Sequence, residues 1–168
     1  MMTADPFLDE DYRVLTSEAF EFVLNNELKR AVRSQNFLTL VSVKPHMAGA
    51  AGGAGAAAAA ATGDRDVAVK QIARLISRDV RETDLLAETD KGRLSLVLLD
   101  ADLPNSMNVI ERLRTRLDAY AFPKPLTLEI GAATCPTHGA DVESLRRAAE
   151  AQALYSRRDD RGTASNTH

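Results

Sequence analysis

The chain has 168 residues, 45% of them hydrophobic, which suits one compact domain with its own core and leaves little room for a second. Its 21 basic and 24 acidic side chains are intermixed at a formal net charge of -3, so no basic stripe tracks a phosphate backbone and nucleic acid is not an expected partner. Cys135 is the single cysteine, which excludes an internal disulfide, leaves no Cys/His cluster with zinc spacing, and fits a reducing cytoplasm.

Residues 1-14 read as an N-terminal tail. Met1 to Tyr12 hold Asp5, Asp9, Glu10 and Asp11 and lack the basic start and apolar run of a secretory signal, so no export is expected. Thr16 and Ser17 ahead of Glu18 make a helix start. From Ser17 to Ser34 the apolar residues Phe20, Val23, Leu24, Leu28, Ala31 and Val32 recur at three and four, a helix with one buried face and Glu21, Asn25 and Lys29 opposite. Phe37 to Val43 is short and rich in apolar and β-branched residues, and reads as a strand buried on at least one face. The Pro/Ala/Gly-rich segment at about 45-63 is expected to be a mobile surface insertion, with helix available across Ala56 to Ala61; it is too weakly apolar to span a bilayer, and no membrane partner is expected.

Asp64 is the expected N-cap of a second helix whose stripe is Val69, Ile72, Ala73, Ile76 and Val80. Leu85 to Glu88 and Leu94 to Leu99 read as paired strands across a tight turn, Asp90-Lys91-Gly92-Arg93, in which Gly92 can take positive φ. Asp100 and Asp102 read as a turn and an N-cap, and Pro104 opens a third helix with Ile110, Leu113 and Leu117 inward and Arg112, Arg114 and Arg116 mostly outside. Pro123 and Pro125 end it. Leu126 to Ala132 alternates as a half-buried strand, and Asp141 caps a last helix through Val142, Leu145, Ala149 and Tyr155, before a polar tail at 159-168. This order predicts an α/β (α+β) domain with one central, mainly antiparallel sheet flanked by helices.

The piece Arg81-Glu-Thr-Asp-Leu-Leu-Ala-Glu88, the turn at 90 to 94 and the strand Leu94-Ser-Leu-Val-Leu-Leu99 together resemble the GGDEF family of diguanylate cyclases. Val109-Ile-Glu-Arg-Leu-Arg is similar to the family's AERLR pattern, Leu126 to Thr134 to its LTxSIGVA strand, and Ala153-Leu-Tyr to its ALY, so the resemblance runs over 15-158. It implies a nucleotide-cyclase-like palm.

Joining two GTP molecules needs divalent metals held by carboxylates. Carried over by the resemblance, the signature falls on Asp90, Lys91, Gly92, Arg93 and Leu94, so Gly92 and Arg93 stand at its two acidic positions. The two aspartates of the family's DxDxFK segment fall on Ser42 and Lys44, its Phe-Lys pair gives way to His46 and Met47, and its LTGLxNR element is reduced to Leu15-Thr16-Ser17. Only Asp66 and Arg158 remain at substrate-side positions. The resemblance therefore implies a degenerate domain with no catalytic residues, no metal and no cofactor.

The family's inhibitory RxxD product site falls on Arg81 and Asp84, with Arg112 as the helix arginine that assists them. A guanidinium can fork to guanine O6 and N7, a carboxylate can accept from N1–H and N2–H, and a second guanidinium can pair with phosphate. Arg157 to Asp160 has the same spacing, and the bland alternative is a solvated ion pair contributing less than about 1 kcal/mol. The expected function is a cyclic di-GMP receptor that signals to an unidentified protein partner in the cytoplasm. A ligand-independent protein-interaction module is the alternative, and non-catalytic GTP binding leans on Asp66 and Arg158 alone. His46, His138 and His168 read as scattered loop residues, and Cys135 as an inert thiol.

Overall fold

A computed structural model describes residues 8–9, 14–47, 56–81, 83–90, 92–151 and 153–158. Its elements in chain order are β1 (Leu8–Asp9), β2 (Val14–Leu15), α1 (Ser17–Ser34), β3 (Leu38–Met47), α2 (Ala56–Asp79), β4 (Leu85–Asp90), β5 (Arg93–Leu99), α3 (Leu103–Ala119), β6 (Leu126–Cys135), α4 (Val142–Ala151) and β7 (Ala153–Arg158). They build one seven-stranded sheet in the order β1-β2-β4-β5-β3-β6-β7. The β2 to β4 pair is parallel and every other pair is antiparallel. This is the expected mainly antiparallel sheet flanked by helices.

The strands are covered on both sides, so their side chains divide by parity between two cores. Val41, Val43, Leu94, Leu96, Leu98, Leu128 and Ile130 pack with Ile72, Ile76, Ile110, Leu113 and Leu117 of α2 and α3. Leu38, Leu40, Val97, Ala133 and Cys135 pack with Phe20, Leu24, Leu28, Leu145 and Ala149 of α1 and α4. The second layer corrects the half-buried reading of β6: Ile130 through Cys135 is buried throughout, because α1 and α4 cover the face that carries Ala133 and Cys135.

The helix caps follow the sequence. The Thr16 hydroxyl accepts from the Ala19 N–H at 3.2 Å, Asp102 accepts from Asn105 N–H at 3.0 Å, and Asp141 accepts from Ser144 N–H at 2.9 Å. Val32, expected in the buried stripe of α1, is 51% exposed. About 100° of rotation per residue carries it well off the line through Phe20, Leu24 and Ala31.

Several boundaries differ from expectation. Residues 45 to 47 continue β3 and 56 to 63 belong to α2, which leaves 48–55 of the expected insertion outside the described residues. Alanine is the strongest helix former, so the Ala56 to Ala61 run extends α2 backward and places Asp64 inside the helix rather than at its cap. Pro45 is tolerated because β3 pairs with β5 only as far as Val43, and beyond it that side of the strand needs no N–H. The last helix stops at Ala151 and Ala153 to Arg158 becomes β7, since the free edge of β6 offers unpaired backbone groups that a longer α4 would leave bare. In the expected N-terminal tail, Leu8–Asp9 pairs with Val14–Leu15; the expected tail at 159-168 lies outside the described residues.

Candidate functional site

The chain leaves α2 at Asp79 and turns through Arg81 and Asp84 into β4. The turn closes on itself: Asp84 N–H donates to the Arg81 carbonyl at 3.0 Å, and Arg81 N–H returns to the Asp84 carboxylate at 3.0 Å. Both side chains also reach the end of β5. The Arg81 guanidinium donates to the Leu99 carbonyl at 2.8 Å and to Asp84 at 3.4 Å, while Leu99 N–H donates to Asp84 at 3.4 Å. Asp84 is thereby sunk to 3% side-chain exposure, whereas Arg81 remains 63% exposed.

Arg112 lies on the outer face of α3, one side of the same depression. A cleft of about 480 Å³ is lined by Arg81, Asp84 and Arg112 together with Asp100, Asn105 and Val109. The sequence-predicted ligand residues are thus brought together. Asp79, at the rim, is held by a two-pronged pair from Arg116 of α3, at 2.5 and 2.8 Å, which ties α3 to the end of α2.

The other predicted cluster sits at the tip of the β4–β5 hairpin. Asp90 faces Arg93 across the turn, and Gly92 has φ of 83°, as its position demanded. Gly92 N–H donates to the Glu88 carboxylate at 3.1 Å. The Arg93 guanidinium turns inward, donates to the Ser42 hydroxyl at 2.6 Å, and lies 3.5 Å from Glu150 of α4 and 3.8 Å from Asp90. Leu94 is buried in the α2/α3 core, Lys91 lies outside the described residues, Asp66 is exposed on α2, and Arg158 ends β7. Among the described residues no three His, Cys, Asp or Glu side chains come together as a metal-ligand set.

The remaining candidates are structural. His46 lies on β3 rather than in a loop, 3.2 Å from Glu129 on the neighbouring strand. His138 follows β6 and its Nδ1 accepts from Thr134 N–H at 2.9 Å, while His168 lies outside the described residues. Cys135 is buried, and burial raises its thiol pKa, away from the reactive thiolate. Among the described residues no helix is long and apolar enough to cross a membrane.

The profile of the family described as "Diguanylate cyclase, GGDEF domain" matches residues 61–163, more than half of the chain. The chain belongs to the GGDEF-domain family. A probable diguanylate cyclase of Escherichia coli (strain K12), DgcT, is 27% identical over 97 residues, a match that spans 54% of this chain and only 21% of DgcT. The fold of this GGDEF domain is shared with a diguanylate cyclase protein from Thermotoga maritima at a TM-score of 0.69 and 17% identity, covering 89% of this chain and 99% of that one. It is shared also with the GGDEF domain of DgcB from Caulobacter crescentus, a structure in complex with c-di-GMP, at a TM-score of 0.63 and 14% identity, covering 90% and 87%.

Contributors to both sites were missed in the sequence. Asp100, read there only as a turn residue, lines the Arg81 cleft, and Glu150, not singled out, faces Arg93. The first had a signal: in a tight hairpin that pairs Leu85 with Val97, the residues just before β4 lie beside those just after β5. The second had none, because α4 and the hairpin meet only through the tertiary fold.

Proposed function

We propose that this GGDEF domain is a cyclase-inactive, cytoplasmic receptor for cyclic di-GMP that signals to a protein partner. The observation that carries the reading is the convergence of Arg81, Asp84 and Arg112 on one cleft. Arg81 offers an exposed fork for a guanine O6/N7 edge or a phosphate, Arg112 offers a second from α3, and Asp84 holds Arg81 in place at the cleft. A relative of the same fold, DgcB, has been captured with c-di-GMP.

Inactivity is supported by the hairpin tip. Divalent metals need hard anionic oxygen ligands, and the positions that the family resemblance assigns to them carry Gly92, Arg93, Ser42 and Lys44. These residues do not fit a metal pair. Arg93 directs a cation at Ser42, so the region already contains the positive charge that a metal would bring.

Calorimetric titration with cyclic di-GMP tests the receptor reading, with saturable binding by the wild type and its loss in Arg81→Ala expected. Absence of binding at tens of micromolar ligand, or binding undiminished by Arg81→Ala, overturns it. Incubation with GTP and magnesium tests inactivity, and formation of cyclic di-GMP refutes it.

A ligand-independent interaction module is favoured by a different feature. Phe22 of α1 is 68% exposed and borders a hollow of about 590 Å³ together with Glu18, Glu21, Asn25 and Arg146. A protein partner whose capture is unchanged by cyclic di-GMP and by the Arg81/Asp84/Arg112 triple variant supports that reading.

A further inference from the structure

Three carboxylates border the Arg81 cleft, and they differ in what they have left to offer. Asp79 is taken by both prongs of Arg116. Asp84 accepts from Arg81 N–H, the Arg81 guanidinium and Leu99 N–H. An ionised carboxylate has about four lone-pair sites, so most of its capacity is used inside the protein, and at 3% side-chain exposure it presents little surface to a ligand. Asp100 is exposed, lines the same cleft, and accepts no hydrogen bond and forms no ion pair among the described residues.

The position of Asp100 is fixed by its neighbours. Leu99, immediately before it, is gripped at its carbonyl by Arg81 and at its N–H by Asp84. Asp100 then takes a left-handed φ of 55°, a conformation that aspartate tolerates better than most residues, and the chain turns toward α3. The Arg81–Asp84 turn thus holds the backbone that carries Asp100, which borders this cleft and a smaller hollow beside Arg30.

Resting on the receptor reading above, we propose that Asp100 is a specificity residue of this cleft: its carboxylate accepts the N1–H and N2–H pair of a guanine, while Asp84 positions Arg81. A carboxylate in that place discriminates by sign. Guanine presents two adjacent donors along this edge, whereas adenine presents the N1 lone pair beside a single amino group, and a lone pair set against a carboxylate is repelled. Asp100 therefore makes the cleft select a guanine over an adenine dinucleotide.

The test is titration of the full chain, wild type and Asp100→Asn, with cyclic di-GMP and with cyclic di-AMP. Asparagine keeps the shape and tolerates the left-handed turn but places an amide where two donors need acceptors. Expected are preference of the wild type for the guanine ligand, and at least a tenfold weakening in Asp100→Asn that falls on cyclic di-GMP and not on cyclic di-AMP. Asp100→Gly, which keeps the left-handed backbone and removes only the carboxylate, is expected to show the same selective loss with an unchanged melting temperature. Unaltered affinity and preference in either variant overturns the assignment and leaves the receptor reading standing. A wild type that binds both dinucleotides equally also overturns it, and a wild type that binds neither overturns the receptor reading itself.

Discussion

The Arg93 guanidinium reaches from β5 to the Ser42 hydroxyl on β3 at 2.6 Å, with Glu150 of α4 at 3.5 Å on its other side. One side chain therefore links two strands and a helix, and at 17% side-chain exposure it is partly shielded from water. Removing it leaves the buried Ser42 hydroxyl without this donor and Glu150 without this counter-charge. Arg93→Ala is expected to lower stability by about 1 to 3 kcal/mol, the usual loss for a charge-assisted bond that leaves a partner unmet. Urea unfolding reads this, and a midpoint equal to that of the wild type contradicts it.

Gly92 combines a φ of 83° with close approach by Arg65, whose Cδ would lie 2.6 Å from an added Cβ. Gly92→Ala is expected to cost roughly 1 to 2 kcal/mol for the left-handed backbone alone, plus whatever displacement of Arg65 requires. Thermal melting of Gly92→Ala beside Gly92→Asn separates the two. Asparagine tolerates the backbone but keeps the clash, so it should melt between alanine and the wild type, and an alanine variant as stable as the wild type refutes the argument.

Thr39 sits at the centre of a buried hydroxyl cluster. It donates to the Ala101 carbonyl at 3.0 Å, accepts from Ser106 at 2.7 Å and shares a hydrogen bond with Thr134 at 2.8 Å. Thr39→Val keeps the volume but strands buried polar groups, at about 1 to 3 kcal/mol. If calorimetric melting shows no loss, those groups have found other partners.

The Arg81→Lys change keeps the charge and removes the fork. Because Arg81 is 63% exposed, its pair with Asp84 adds little to stability, and the melting temperature should hold. Cyclic di-GMP affinity should nevertheless fall at least tenfold, since an ammonium cannot match a two-acceptor edge (about 1.4 kcal/mol per tenfold). A lysine variant that binds like the wild type shows that charge alone suffices.

Asp141 caps α4, and the Ser144 N–H and hydroxyl hold its carboxyl below the ordinary carboxylate range. A lowered folded-state pKa adds stability above the unfolded-state value, and that stability is lost as pH falls through the folded-state value. Asp141→Ala should therefore melt below the wild type at neutral pH, with the gap closing in acid. A gap that stays constant across the titration rules out this linkage.

The sequence made helices, caps and the hairpin legible wherever periodicity was strong, but not the second core that buries both faces of β6. The stripes at Ile72 and Ile76 and at Leu113 and Leu117, the hairpin at Gly92, and the caps Thr16, Asp102 and Asp141 all fell where spacing and side-chain chemistry placed them. Residues 153 to 158 were not legible because Tyr155 continues a helical stripe, and only pairing with β6 decides for a strand. The start of α2 was misplaced because Asp64 looks like a cap, while the alanines before it extend the helix at little cost. In the candidate site, Arg81, Asp84 and Arg112 were readable as a motif. Their convergence depended on how α3 lies against the end of α2, which no local pattern contains.

Strand β5 runs from Arg93 to Leu99, with the hairpin tip at one end and the Arg81 cleft at the other. At about 3.4 Å per residue the two ends stand roughly 20 Å apart, well beyond the 7 to 10 Å or so within which substitutions usually interact. The domain is therefore modular along a single strand. Energetic effects at Arg93 and at Arg81 should add without coupling in a double-mutant cycle, and a spectroscopic probe attached at the tip should leave the cleft's chemistry untouched.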